Sequence, residues 1–156
     1  MKKLKIYLDT SVISMLDDSE RGIITRDFFE FAIQRGYQFV VSEVVRAEID
    51  DTPEENKRVA ILQFLETLSC VSIPYNQESI DLAWTYVSEE ILTTSHIDDL
   101  THIAYATVFG CNMIVSWNRK HIAKPIKTQK INACNLKNNY SMIAIYTPQE
   151  FLTLYQ

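Results

Sequence analysis

The chain has 156 residues, 47% of them hydrophobic, with three glycines and four prolines. That composition supplies a real core and leaves little room for linkers or low-complexity tracts. A net charge of −5 does not by itself point to a nucleic-acid partner. Cys70, Cys111 and Cys134 are odd in number and widely spaced; they argue against a disulfide framework or a zinc site and for a reducing, cytoplasmic setting. His96, His102 and His121 do not match zinc pairings either. Lys5 and Asp9 interrupt any apolar run after Met1-Lys2-Lys3, and His102, Gly110 and Asn112 break the uncharged stretch from Leu100 to Asn118. The expectation is a soluble protein with no membrane partner and one domain over residues 1–156.

Taken in order, Leu4, Ile6 and Leu8 alternate as a short strand that stops at Asp9, and Val12, Ile13 and Leu16 follow as a helix. An acid at the end of a first strand either caps the next helix or sits where open α/β sheets bind ligands. Ile24, Phe28, Phe31 and Ala32 recur at helical spacing up to Gly36. Phe39-Val40-Val41 reads as the second strand and Ser42 as an N-cap, with Val44, Val45, Glu48 and Ile49 on one helical face. Thr52-Pro53-Glu54-Glu55 predicts a helix start with Thr52 as cap and Pro53 at its first position, leading through Val59, Ile61, Leu62, Leu65 and Leu68. A third strand spans Cys70 to Ile73. Asn76 caps a helix whose stripe is Ile80, Ala83, Trp84, Val87 and Ile91. Ser95 and Asp98 form a candidate capping box for a helix through Ile97, Leu100, Ile103 and Ala104, stopped by Gly110. Met113-Ile114-Val115 is the fourth strand, and a basic, proline-interrupted helical segment covers 119–138. Met142 to Ile145 is the fifth strand, and Thr147-Pro148-Gln149-Glu150 opens a last helix. Strands alternating with helices predict a mostly parallel sheet covered on both faces.

That topology brings Asp9, Glu48, Asp99 and Asn118 to one edge. Asp9 and Asn118 follow strand ends, Glu48 lies in the helix leaving the second strand, and Asp99 opens the helix entering the fourth. Clustered carboxylates repel unless a cation sits among them. Oxygen-only ligands point to Mg²⁺ or Mn²⁺, which activate water and stabilise charge in phosphodiester hydrolysis. Ser11 is placed to hold a phosphate oxygen at the first helix N-terminus. Residues 1–99 carry 19 acids and 9 bases, whereas 100–149 carry six bases (Arg119, Lys120, Lys124, Lys127, Lys130, Lys137) and no acid. The basic run is either a solvated helix or a landing surface for a polyanion, with Arg119 and Lys120 nearest the site. Asp98 reads as a capping residue, His102 as a packed or supporting residue, and Trp117 as core or base-stacking.

Four segments together resemble the PIN-domain family: Tyr7-Leu8-Asp9-Thr10-Ser11-Val12-Ile13, the run from Ser42 to Ile49, the run from Asp99 to Ala106, and the run from Ile114 to Ile122. The resemblance covers nearly the whole chain. It implies a three-layer α/β/α sandwich with a five-stranded, mostly parallel sheet, and Mg²⁺- or Mn²⁺-dependent cleavage of RNA. The family's first three acids correspond to Asp9, Glu48 and Asp99, and its hydroxyl two residues after the first acid falls on Ser11. Asn118 departs from the pattern, standing where the family commonly has Asp. That leaves three carboxylates rather than four, which implies a weaker second metal and keeps a non-catalytic RNA-binding module as the alternative. Small members of the family resemble toxins of toxin–antitoxin pairs, which implies a small antitoxin partner and a homodimer.

Overall fold

The computed structural model describes residues 3–118 and 124–156. Arg119, Lys120 and His121 therefore lie outside the described residues, as does the first part of the expected basic segment. Five strands, β1 (Lys5–Leu8), β2 (Gln38–Ser42), β3 (Val71–Ile73), β4 (Met113–Val115) and β5 (Ala144–Tyr146), form one sheet in the order β3-β2-β1-β4-β5. Every adjacent pair is parallel. The described helices are α1 (Thr10–Ser14), α2 (Arg21–Gln34), α3 (Glu43–Asp50), α4 (Glu55–Leu68), α5 (Gln77–Ser88), α6 (Ile97–Val108), α7 (Pro125–Lys137) and α8 (Pro148–Tyr155). None of them is long and apolar enough to cross a membrane.

Strand register assigns the layers. Ile6 pairs with Phe39, and paired residues of parallel strands share a face. Phe39 meets Phe28 and Phe29 of α2, which also contact Phe151 of α8 and Phe64 of α4. Tyr7 pairs with Val40 and Ile114 on the opposite face, where its ring meets His102 of α6 edge-on. Both faces are thus covered, and Ile6, Tyr7, Leu8, Val41, Ile114 and Val115 are fully buried. Because side chains alternate along a strand, Tyr7, Asp9, Ser42 and Ser116 all emerge on the α6 side.

Several local expectations differ from the structure. Thr52 does not cap α4: its N–H still bonds the Ile49 carbonyl at the end of α3, and the helix begins at Glu55 behind an extended Glu54. Ser95 does not form a capping box, since its hydroxyl pairs with Thr93 and a 3₁₀ turn at Thr94–His96 precedes α6. Pro125 opens α7 rather than interrupting it. Strand β5 starts at Ala144, because Met142 points outward at 62% exposure and the ladder begins with the Ala144 N–H to the Asn112 carbonyl. Trp84 faces solvent rather than the core. The capping box at Thr147 and Glu150 is fully formed, as are the caps at Ser42 and Asn76.

Gly22 sits where α2 crosses the end of the first turn, and a Cβ there would stand 2.7 Å from the Leu16 carbonyl oxygen. Backbone cannot yield cheaply, so Gly22→Ala is expected to cost about 1–3 kcal/mol in chemical denaturation. Cys70, Cys111 and Cys134 are free thiols. Burial pushes Cys111 and Cys134 up to about 12 and Cys70 up to about 11. The thiolate is the reactive form, so Ellman's reagent at pH about 8 should label the native chain slowly and all three thiols rapidly once denaturant is added.

Candidate active site

The strand order reverses direction between β1 and β4, and in open parallel sheets the crevice at such a switch point is the usual ligand position. Asp9 and Ser116 are the residues just beyond the paired Leu8 and Val115, and the Asp9 N–H still bonds the Val115 carbonyl. This register sets the carboxylate of Asp9, a residue only 5% exposed, beside the Ser116 hydroxyl. One oxygen, Oδ2, accepts from the Ser11 hydroxyl at 2.6 Å, the Ser116 hydroxyl at 2.9 Å and the Ser11 N–H at 3.3 Å. The other, Oδ1, accepts no hydrogen bond from a described residue, and His102 Nε2 lies 3.5 Å from it. Asp9 therefore caps α1, while its second carboxylate oxygen lies beside the His102 ring.

A second acid is joined to Asp9 through the loop after β4. The Ser116 hydroxyl oxygen accepts the Asn118 N–H at 2.9 Å, and Asn118 Nδ2 donates to Asp99 Oδ1 at 2.9 Å. Asp99 Oδ2 lies 3.9 Å from His96 Nδ1. The amide orientation follows from chemistry, because a carboxamide oxygen turned to a carboxylate would repel it. Asn118 thus acts on Asp99 as a hydrogen-bond donor.

The third acid is joined through His102, 2% exposed on α6. Its Nε2 donates to Glu48 Oε1 of α3, and its Nδ1 is 2.7 Å from the Tyr7 hydroxyl. Tyr7 and Ser42, both fully buried, share a 2.6 Å hydrogen bond. Burial alone would disfavour charge on His102. The Glu48 hydrogen bond and the negative field of Asp9, Glu48 and Asp99 outweigh it and hold the imidazole pKa above the ordinary value. Burial first, then Asp9 and Glu48, push the Tyr7 phenol far up, so it stays protonated.

Asp9, Asp99 and Asn118 thus belong to one hydrogen-bonded set and Glu48 to a second, and the two approach each other where His102 Nε2 lies 3.5 Å from Asp9 Oδ1. Among the described residues, however, no three acidic, histidine or cysteine side chains already stand as a cation cage. Asp98 is exposed on the first turn of α6. Ser11 is committed to orienting Asp9 and to accepting the Trp117 N–H at 2.9 Å. Trp117 is half-buried: its indole N–H bonds Thr25, and the Arg21 guanidinium covers its ring at 5.3 Å. Ser116 and Tyr7 are the polar partners that sequence reasoning did not single out. Their signal was available in strand parity, since each lies two residues from, or directly opposite, a site residue in the pairing.

No protein-family model matches the chain, and no curated protein matches it. Solved structures do. VapBC2 from Rickettsia felis, solved bound to a DNA fragment from their promoter, superposes with TM-score 0.63 at 12% identity over 92% of this chain and 98% of that one. VapC20 from Mycobacterium tuberculosis, a toxin that cleaves the sarcin-ricin loop, gives 0.58 at 13% identity over 76% and 93%. FitAcB from Neisseria gonorrhoeae gives 0.58 at 16% identity over 92% and 98%. The chain has the PIN-domain fold: a five-stranded parallel sheet in an α/β/α sandwich with an acid-lined carboxyl edge. At such identities the likeness is one of fold.

The donor role of Asn118 is testable. Asn118→Asp replaces a donor with a second carboxylate against Asp99 and should lower stability by about 1 kcal/mol at neutral pH. Thermal melts should show the loss shrinking on acidification, because protonating either carboxylate relieves the repulsion.

Proposed function

We propose that this chain is a divalent-metal-dependent endoribonuclease, the toxin of a toxin–antitoxin pair. The observation that carries this reading is Asp9. It is a buried carboxylate at the sheet's switch point, with one oxygen saturated by three donors and the other beside His102 Nε2, the nitrogen that also meets Glu48. The donor set suits Mg²⁺ or Mn²⁺, being carboxylates with an amide and hydroxyls nearby and no thiolate. Asp9, Glu48 and Asp99 would hold the cation. When bound, it would polarise a phosphodiester oxygen and make water a better nucleophile.

The remaining steps belong to the protein's own groups. Ser11 and Ser116 fix the rotamer of Asp9, so that its Oδ1 keeps one direction. Asn118 holds Asp99 through its amide hydrogen and serves the site as a positioning group rather than as a fourth acid. Arg21, lying across Trp117 beside this loop, offers positive charge to a phosphate backbone. Arg119 and Lys120 extend that charge in the sequence. Structural likeness to VapC20, a toxin that cleaves the sarcin-ricin loop, is consistent with a nucleic-acid substrate, and RNA is the substrate we propose. Likeness to VapBC2 and FitAcB supports a small antitoxin partner.

RNA incubated with the wild-type chain and Mn²⁺ should be cut. Chelation should stop the reaction, and Asp9→Asn should slow it by about a hundredfold or more, exceeding the usual effect of a supporting group. RNA binding without cleavage under any divalent ion would replace this reading with that of a binding module.

A further inference from the structure

Glu48 is the least constrained of the three acids. Its side chain is 40% exposed on α3, and an exposed glutamate ordinarily spreads over many rotamers. What holds it is a column of buried polar groups that the nuclease reading does not require. The Val44 N–H bonds the Ser42 hydroxyl oxygen at 3.2 Å, which leaves the Ser42 hydrogen for the Tyr7 oxygen at 2.6 Å. Tyr7 can then donate to His102 Nδ1 at 2.7 Å. With Nδ1 accepting, the ring hydrogen lies on Nε2 and points at Glu48 Oε1, with Asp9 Oδ1 3.5 Å away. A charged ring carries the same Nε2 hydrogen, so the contact with Glu48 does not depend on protonation state. A core would be simpler without this column. Ser42, Tyr7 and His102 are each at most 2% exposed, and buried polar groups are costly unless every one is bonded.

We propose that His102 is a positioning residue: carried on the buried Tyr7–Ser42 pair, its Nε2–H pins Glu48 beside Asp9 and so sets how tightly the acid site binds a divalent cation. This rests on the nuclease reading through the cation site alone. It assigns His102 a role as holder of a ligand rather than as a ligand, because its Nε2 presents a hydrogen in either state, while Nδ1 is engaged by Tyr7 when the ring is neutral and carries a hydrogen when it is charged. It also gives Tyr7 a purpose beyond packing, since phenylalanine would fill the same space.

Mn²⁺ titrated calorimetrically into the full chain at one neutral pH tests this without any turnover. His102→Leu should weaken Mn²⁺ binding about tenfold, the lower range for losing a group that orients a metal-binding side chain. Tyr7→Phe, which keeps the ring and loses the hydroxyl, should weaken it by a smaller factor, and His102→Gln, which keeps a donor, should recover most of the loss. In a Glu48→Gln background, His102→Leu should add little, an interaction that a general packing defect would not produce. If His102→Leu does not fold, Tyr7→Phe decides. Folded variants that bind Mn²⁺ as well as the wild type, or more tightly, overturn the positioning role and leave the nuclease reading standing. A wild-type chain that binds no Mn²⁺ overturns both.

Discussion

A carboxylate on a side chain only 8% exposed survives only where its surroundings replace the lost hydration. Asp9 meets that condition through the pairing of β1 with β4. Leu8 opposite Val115 sets the Ser116 hydroxyl against Asp9 Oδ2, and the turn into α1 returns the Ser11 hydroxyl and N–H to the same oxygen. A one-residue slip in that register would send Asp9 and Ser116 to opposite faces. The site therefore depends on a backbone fact, the register of two buried strands, before it depends on any single side chain.

Two sets of hydrogen bonds flank Asp9, one starting from its Oδ2 and the other from His102, whose Nε2 lies 3.5 Å from its Oδ1. Toward β4, Ser116 and Asn118 reach Asp99; toward β2, His102 reaches Glu48, with Tyr7 and Ser42 beneath it. Each acid thus has a neutral or cationic donor between it and the next. That arrangement limits carboxylate repulsion without any bound ion. It also changes what Asn118 means. An acid at this position would add charge to the cluster, whereas the amide subtracts none and supplies a hydrogen where Asp99 can use one.

Much of this was legible in the linear order of residues. The alternation of apolar strands and helices, the caps at Ser42, Asn76 and Thr147, and the stops at Gly36 and Gly110 are local, and local patterns survive into the fold. So did the placement of Asp9, Glu48, Asp99 and Asn118 at one edge, since parallel topology alone dictates which strand ends share a rim. What could not be read was tertiary competition. Thr52 has the residues of a cap, yet its N–H is held by the preceding helix; Ser95 has the spacing of a capping box, yet a 3₁₀ turn takes its place. The polar column through Tyr7 was hidden for a related reason. Tyrosine in a strand reads as core, and only the opposite face of the sheet, with Ser42 and His102 on it, makes its hydroxyl matter.

The innermost strand pair is also the one most distant along the chain: Asp9 and Ser116 are 107 residues apart. Loop closure of that length is entropically slow and comes late in assembly. The crevice beside β1 has only one wall until α6 and β4 have emerged and docked. The polar surroundings of Asp9 are consequently complete only once the fourth strand has docked beside the first.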